Sequence, residues 1–317
     1  MQDLTPNQRS WRRFRSNKLS LFGAVYLGAL AFVVIVWPLG LRVMSELGPQ
    51  SAALASVYAP DQLSDAQFNP PGIRHWFGTD AHGRDLFSRV LYGAQISLLV
   101  GVVGACVSLV IGVLWGAIAG YAGGRIDSLM MRIVDILYSL PSIIFVIVLL
   151  TTLGELLKQS HFVQQSPIVA RQLRVLLLLV GLGAVSWLTM ARIVRGQVLS
   201  LRTRPFVEAS RALGAGPVRI LRRHIIPNVF GVVIVYLTLT VPAIVLYESF
   251  LSFLGLGIQP PMASWGSLLA EGVSQINPIR IYWWLIVLPG GLLVSTLLAL
   301  NFVGDGLRDA WDVRGQT

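Results

Sequence analysis

Seven stretches of this chain carry no charged residue: Leu19–Leu41, Val90–Gly124, Ile136–Gly154, Val175–Ala191, Ile225–Tyr247, Ser249–Ala270 and Ile281–Gly304. A helix crosses a hydrocarbon core of about 30 Å with about 20 apolar residues. Backbone placed in lipid must satisfy its own hydrogen bonds, so such runs are helices rather than open strands. The pattern predicts helices near 20–40, 92–120, 128–153, 172–191, 229–255 and 283–303. The run Ser249–Ala270 receives no span of its own. It contains Gly255, Gly257, Pro260, Pro261 and Gly266, which break helices. It reads as the end of the fifth span and an outside loop, with a short helix at Trp265–Glu271. The expected fold is therefore an all-α integral membrane protein with six transmembrane helices.

The polar segments divide the chain. Residues 1–18 form a basic N-terminal segment, 19–41 the first span and 42–90 an external loop. Residues 91–303 form the membrane core, interrupted by a loop at 192–228, and 304–317 form a tail. The N-terminal arginines followed by an apolar run resemble a signal peptide. The run is longer than a usual signal core and no small-residue cleavage site follows it, so an uncleaved first span is expected.

Composition agrees with membrane insertion. The chain of 317 residues is 54% hydrophobic and only 13% charged, far from a soluble domain. Its net charge of +10 would suggest nucleic acid on a soluble protein. Here the basic residues lie between apolar runs, and no nucleic-acid partner is expected. With six spans, 17 of the 25 basic residues fall on the side of the termini. The positive-inside bias then puts both termini and the 192–228 loop in the cytoplasm. Lys158, Arg171 and Arg174 in the 154–171 loop run against the bias. One cysteine, Cys106, permits no internal disulfide.

Two features lie inside the spans. Gly104, Ser108, Gly112, Gly116 and Gly120 place a small residue at every fourth position, which lets another helix approach closely. Successive rungs drift about 40° around the helix, which suits a partner crossing at an angle. Intramembrane charge costs about 2.5–3.5 kcal/mol at a helix centre. Asp135 and Glu248 are the candidates. Asp135 has Arg132 three residues before it as a local partner. Glu248 lies about 30 Å along the helix from Asn228, at an outer rim where solvation would account for it. With Ser249 and Ser252 it is also a candidate for a pore or gate.

Enzyme motifs are missing. The only lysines, Lys18 and Lys158, sit in Asn17-Lys18-Leu19 and Leu157-Lys158-Gln159. Neither fits Gly-Lys-Ser/Thr, so this chain is not expected to hydrolyse ATP through a phosphate loop. His75, His82, His161 and His224 show no zinc spacing and no His-Glu-x-x-His. No metal site and no Gly-x-Ser-x-Gly nucleophile elbow is present in the sequence.

The interruption at 192–228 holds eight arginines and has its own helix punctuation. Thr203 can cap, Pro205 suits a first turn and Gly214 a stop. Pro217 can start a second short helix bearing Arg219, Arg222 and Arg223, and Pro227 precedes the fifth span. Glu208 lies in a first turn, where the helix dipole favours an anion. The result is a compact protrusion; a merely solvated basic loop is the plainer alternative.

Glu208-Ala209-Ser210, then Gly214, then His224-Ile225-Ile226-Pro227 resembles the EAA loop of type I ABC importer permeases. Ser210, His224 and Ile226 depart mildly from that pattern. Four further segments are similar to peptide permeases: Phe77-Gly78-Thr79-Asp80-Ala81-His82-Gly83-Arg84-Asp85, Gly120–Asp127, Glu248–Gly257 and Gly304–Ala310. Together, from about residue 10 to 312, they resemble the C-type membrane subunit of oligopeptide or dipeptide importers.

The resemblance implies a type I permease fold in the bacterial inner membrane and a pore subunit that couples ATP hydrolysis to alternating access. Its implied partners are a homologous second permease in a heterodimer, two ABC ATPase subunits, an extracytoplasmic substrate-binding protein and membrane lipid. ATP and Mg would bind those ATPases, and this chain would hold no cofactor and catalyse nothing. Glu208, Ala209, Ser210, Arg211, Gly214, Arg219 and Pro227 are implied to engage an ATPase. Gly78, Thr79, Asp80, Gly83, Arg84 and Asp85 are implied to form an external docking face, with an internal salt-bridge cluster as the alternative. Import of nickel or another small solute is the alternative cargo. An ion-coupled secondary carrier is the rival from a different class, but no internal repeat supports it.

Overall fold

The computed structural model describes residues 6–158 and 167–311. His161, Arg314 and most of the predicted loop after the third span lie outside them, as do the side chains of Lys158, Arg171 and Arg174. All regular structure among the described residues is helical. The helices are α1 Pro6–Ser16, α2 Lys18–Glu46, α3 Pro49–Val57, α4 Leu86–Ala122, α5 Gly124–Ser139, α6 Ser142–Lys158, α7 Pro167–Leu201, α8 Pro205–Ala212 and α9 Pro217–Ile220. A π-helical turn, Leu221–Ile225, leads into α10 Ile226–Phe253, followed by α11 Trp265–Ser274 and α12 Trp284–Trp311.

Five helical stretches are long and apolar enough to cross a membrane: Lys18–Glu46, Leu86–Ala122, Val175–Leu201, Pro217–Phe253 and Trp284–Trp311. The predicted straight span over 128–153 is instead a pair of helices, α5 and α6, bent by 90°. Pro141 is the reason. A proline pushes the residue before it out of the helical region, and Leu140 has φ −81 and ψ 137. The pair counts as a sixth span if both arms belong to one crossing.

The chain divides into two compact units: one joins Lys18–Gly101 with Val245–Val303, the other holds Val102–Ile244 and the terminal segments. In the first, α2 carries Pro38 within its length. Proline has no N–H for the carbonyl four residues back. Gln95 Nε2 supplies the missing donor, at 2.7 Å from the Val34 carbonyl. Trp37 donates to Ser88 Oγ at 3.0 Å and packs edge-on against Phe87 and Tyr58. Tyr26 Oη lies 2.6 Å from Ser295 Oγ.

In the second unit, α4 and α7 run side by side. A side-chain carbon on Gly112 would come within 2.6 Å of Met190 Cβ, and one on Gly120 within 2.9 Å of Val198 Cβ. Gly116 lies against Ala191 and Val194; Gly104 faces Ile244 first and then Leu179 O, and its own carbonyl lies against Gly183 of α7. Contact therefore persists from Gly104 to Gly120, about 24 Å at 1.5 Å per residue. This corrects the expectation of a partner crossing at an angle: α7 follows the drift of the small residues. Trp115 and Trp187 pack together at 5.1 Å, and Trp115 donates to the Met130 carbonyl at 3.2 Å, which fixes α5 against this pair.

Candidate functional site

The region 192–228 is less of a loop than the sequence suggests. Helix α7 continues to Leu201, so residues 192–201 are helical. Pro205 opens α8 as expected, but Thr203 does not cap it. The N-cap is Arg204, without a side-chain bond, and the Thr203 hydroxyl donates to the Ser200 carbonyl at 3.3 Å. Gly214 ends the element with φ +83, a conformation that favours glycine. Pro217 opens α9. Chain direction then passes through the π-helical turn, where Ile226 N–H bonds the Leu221 carbonyl. Pro227, expected ahead of the fifth span, lies in the first turn of α10.

Apolar side chains anchor this protrusion. Val207, Ile220 and Ile225 are fully buried in one cluster with Met190, Val194, Val198, Ala117 and Val229. The opposite face is open: Glu208, Ala209, Arg211, Gly214, Arg219 and Pro227 are exposed, as are Leu213 at 89% and Val218 at 77%. Ser210 is half-buried; its hydroxyl donates to the Phe206 carbonyl at 2.8 Å. Arg211 reaches over the Tyr121 ring at 5.7 Å. The seven predicted residues thus share one protrusion, with six of them on its surface.

Behind the protrusion lies a latch that spacing alone did not reveal. Arg195 of α7 grips Asp127 of α5 with two hydrogen bonds, the Nη2 bond being 2.7 Å. Arg202 donates to the Gly120 carbonyl at 3.1 Å. Its guanidinium occupies the space a side chain on Gly123 would need, and Gly123 has φ +67. The Gly120–Asp127 segment is therefore a turn shaped to receive two arginines. Asp135 also pairs across helices, with Arg192 Nη2 at 2.7 Å. This replaces the local Arg132 partner expected from sequence.

The segment 77–85 forms a closed network. Asp85 accepts the Ser88 N–H at 2.9 Å, which caps α4, and bonds His75 Nδ1 at 2.8 Å. Asp80 accepts from Arg84 Nε and from Arg89 Nη1, both at 2.7 Å. Arg89 also grips both oxygens of Glu271, at 2.6 and 3.0 Å. Burial alone would raise the Asp80 carboxyl, but the two guanidinium groups and the N–H groups of Arg84 and His82 outweigh it and hold it below its ordinary value. The Thr79 carbonyl accepts from Trp284 Nε1 at 3.2 Å. Gly78, Thr79, Asp80, Gly83, Arg84 and Asp85 are all buried. They build the loop through this internal network, the alternative carried beside a docking face. Among the apolar residues this loop leaves exposed are Ile73 at 96% and Trp76 at 59%.

Glu248 is the largest departure from expectation. It is fully buried, not solvated at a rim. It accepts hydrogen bonds from Ser97 Oγ at 2.8 Å and Ser252 Oγ at 2.6 Å, with Ser249 Oγ at 3.4 Å. Ser252 Oγ in turn receives the Ile258 N–H, and Ser97 Oγ the Trp265 N–H. The carboxylate thus ties α4, α10, the 254–264 turn and α11 together. Ser249 and Ser252 are buried with it, so none of the three is open to a passing solute here.

These features define a class: a multi-pass membrane permease with a helical protrusion built on its span ends. Solved chains agree on the fold. An inward-facing methionine ABC transporter, MetNI, superposes with a TM-score of 0.52 at 22% identity, over 71% of this chain and 97% of that one. Residues 112–314 match the family described as binding-protein-dependent transport system inner membrane component. Residues 5–46 match the N-terminal transmembrane domain of oligopeptide transport permease C. Among similar proteins, the oligopeptide transport system permease protein OppC of Haemophilus influenzae is 49% identical over 96% of this chain and 88% of its own length. OppC of Escherichia coli is 45% identical over 96% and 90%. The dipeptide transport system permease protein DppC of Bacillus subtilis is 42% identical over 98% and 86%. The chain belongs to the family of binding-protein-dependent transport system inner membrane components. It is a multi-pass protein of the bacterial inner membrane.

Proposed function

We propose that this chain is one pore-forming subunit of an ATP-driven importer of short peptides. The observation that carries the reading is the protrusion: anchored through Val207 and Ile220, it leaves Glu208, Arg211, Leu213 and Val218 outermost. A rigid body fixed to span ends passes motion to those spans; a loose loop would absorb it. Of two ATPase subunits carrying ATP and Mg, one receives this protrusion from the cytoplasm, and closure of the ATPase pair tilts α7 and α10. A second, homologous permease completes the pore. A secreted binding protein delivers cargo to the opposite side, where Ile73 and Trp76 stand out. Peptides are preferred as cargo because the similar proteins are named for oligopeptide and dipeptide transport.

The test is co-purification of the tagged chain in mild detergent, followed by mass spectrometry. Wild type is expected to bring down a second permease and ATPase subunits. Gly214→Pro and Glu208→Lys are expected to keep the permease and lose the ATPases. Recovery of the chain alone, or as a homo-oligomer indifferent to both changes, would overturn the reading.

A further inference from the structure

Helix α5 divides its surface into three sectors at 100° per residue. Asp127 and Val134 are buried. Ile126, Leu129, Ile133 and Ile136 are exposed and apolar. Arg125, Ser128, Arg132, Asp135 and Ser139 are exposed and polar. The centres of the two exposed sectors lie roughly 100° apart. A helix between lipid and water needs this division, since a charged stripe facing hydrocarbon is costly. The stripe continues onto α7 through Arg192, which holds Asp135 and lies over the Tyr138 ring at 4.1 Å. By contrast Glu248 of α10 is closed off by serines.

We infer that the polar sector of α5 lines the aqueous path of the pore, and that Arg132 is the residue on it that takes the carboxylate of a passing solute. Asp135 is already held by Arg192, whereas Arg132 has no ion-pair partner among the described residues. The exposed Arg125, Arg132 and Asp135 and the half-buried Arg192 sum to +2, so the sector attracts an anionic group. A guanidinium binds a carboxylate through two parallel N–H bonds, and a peptide with a free C-terminus presents that group. The assignment of the carboxylate to a peptide rests on the function proposed above; the water-lined sector does not.

The test uses the complete transporter in proteoliposomes with Cys106→Ala, because Cys106 is exposed. Single cysteines replace Ser128 and Ser139 in the polar sector, and Leu129 and Ile136 in the apolar one. A membrane-impermeant sulfonated thiosulfonate is expected to label the polar pair at least tenfold faster. Saturating trialanine is expected to slow labelling at Ser139→Cys at least threefold. Arg132→Gln is expected to raise the KM for trialanine about tenfold and for trialanine amide less than twofold. Equal labelling of both sectors overturns the water-lined path. Fast labelling without protection by trialanine places the sector at the membrane surface and overturns it as well. An equal effect of Arg132→Gln on acid and amide overturns the carboxylate role. Failure of the wild-type complex to import trialanine overturns peptide import instead, and the contrast between the two sectors is still read.

Discussion

Ser97 on α4 and Glu248 on α10, 151 residues apart in sequence, meet in a 2.8 Å hydrogen bond in a fully buried site. The serine hydroxyl donates to the carboxylate and accepts the Trp265 N–H at 3.3 Å. Ser252 repeats the arrangement with Ile258 N–H at 2.9 Å. Each serine has one proton to give, and Glu248 takes both, which requires an acceptor at that position.

Replacing Glu248 by Ala leaves those hydroxyls without their acceptor. A stability loss of about 3 kcal/mol is expected, read as a lower melting temperature of the detergent-solubilised chain. Glu248→Gln keeps one acceptor oxygen and should lose less. Equal melting temperatures for wild type and Glu248→Ala would contradict the site's role.

Gly112→Ala should cost about 1–3 kcal/mol, because the added carbon meets Met190 at 2.6 Å. Gly196→Ala is the control, with nothing within 4 Å of the new carbon. There the helix should gain up to about 1 kcal/mol. Thermal unfolding of the two variants side by side checks the α4–α7 contact, and a reversed order would refute it.

Gly123→Ala should displace Arg202 from the Gly120 carbonyl and strain a residue at φ +67. A loss of about 1–2 kcal/mol is expected. Adding Arg202→Ala removes the collision but not the strained backbone. The double variant should therefore melt higher than the sum of the two single losses predicts, a coupling read by a double-mutant cycle.

Asp80 sets the pH response of the 58–85 segment. Its carboxyl is lowered in the folded state, while an unfolded Asp titrates near 3.9. Its contribution is therefore fully present above that range and is lost as pH falls through the lower folded value. Hydrogen exchange, corrected for its intrinsic pH dependence, should find this segment equally protected from pH 8 to 5 and opening only below about pH 4. Asp80→Asn should weaken protection at neutral pH by about 2 kcal/mol. Opening of the wild-type loop already at pH 6 would argue against the network.

Much of this architecture was written in local pattern. Charge-free length marked the spans because lipid leaves a backbone few alternatives to a helix. Pro205 and Pro217 marked the protrusion because proline fixes its own φ, and Gly214 because glycine tolerates a positive φ; both effects act within one or two residues. Pro141 is equally local, but the apolar run continues unbroken across it, so charge-free length alone predicts a single span there. The EAA-like segment was legible because its residues are neighbours in sequence.

The sequence by itself determined that the chain is helical and where its long apolar runs and its protrusion lie, since these depend on hydropathy and backbone preference over short distances. Only the tertiary structure decided the partners of its charges. Asp127 chose Arg195, Asp135 chose Arg192 rather than Arg132, and Arg89 chose Asp80 and Glu271. Ser249 and Ser252 are near Glu248 in sequence, but whether its carboxylate is closed off from water depends on Ser97, 151 residues away, packing over it. A charge takes the nearest opposite charge or donor in space, and no spacing along the chain encodes that distance.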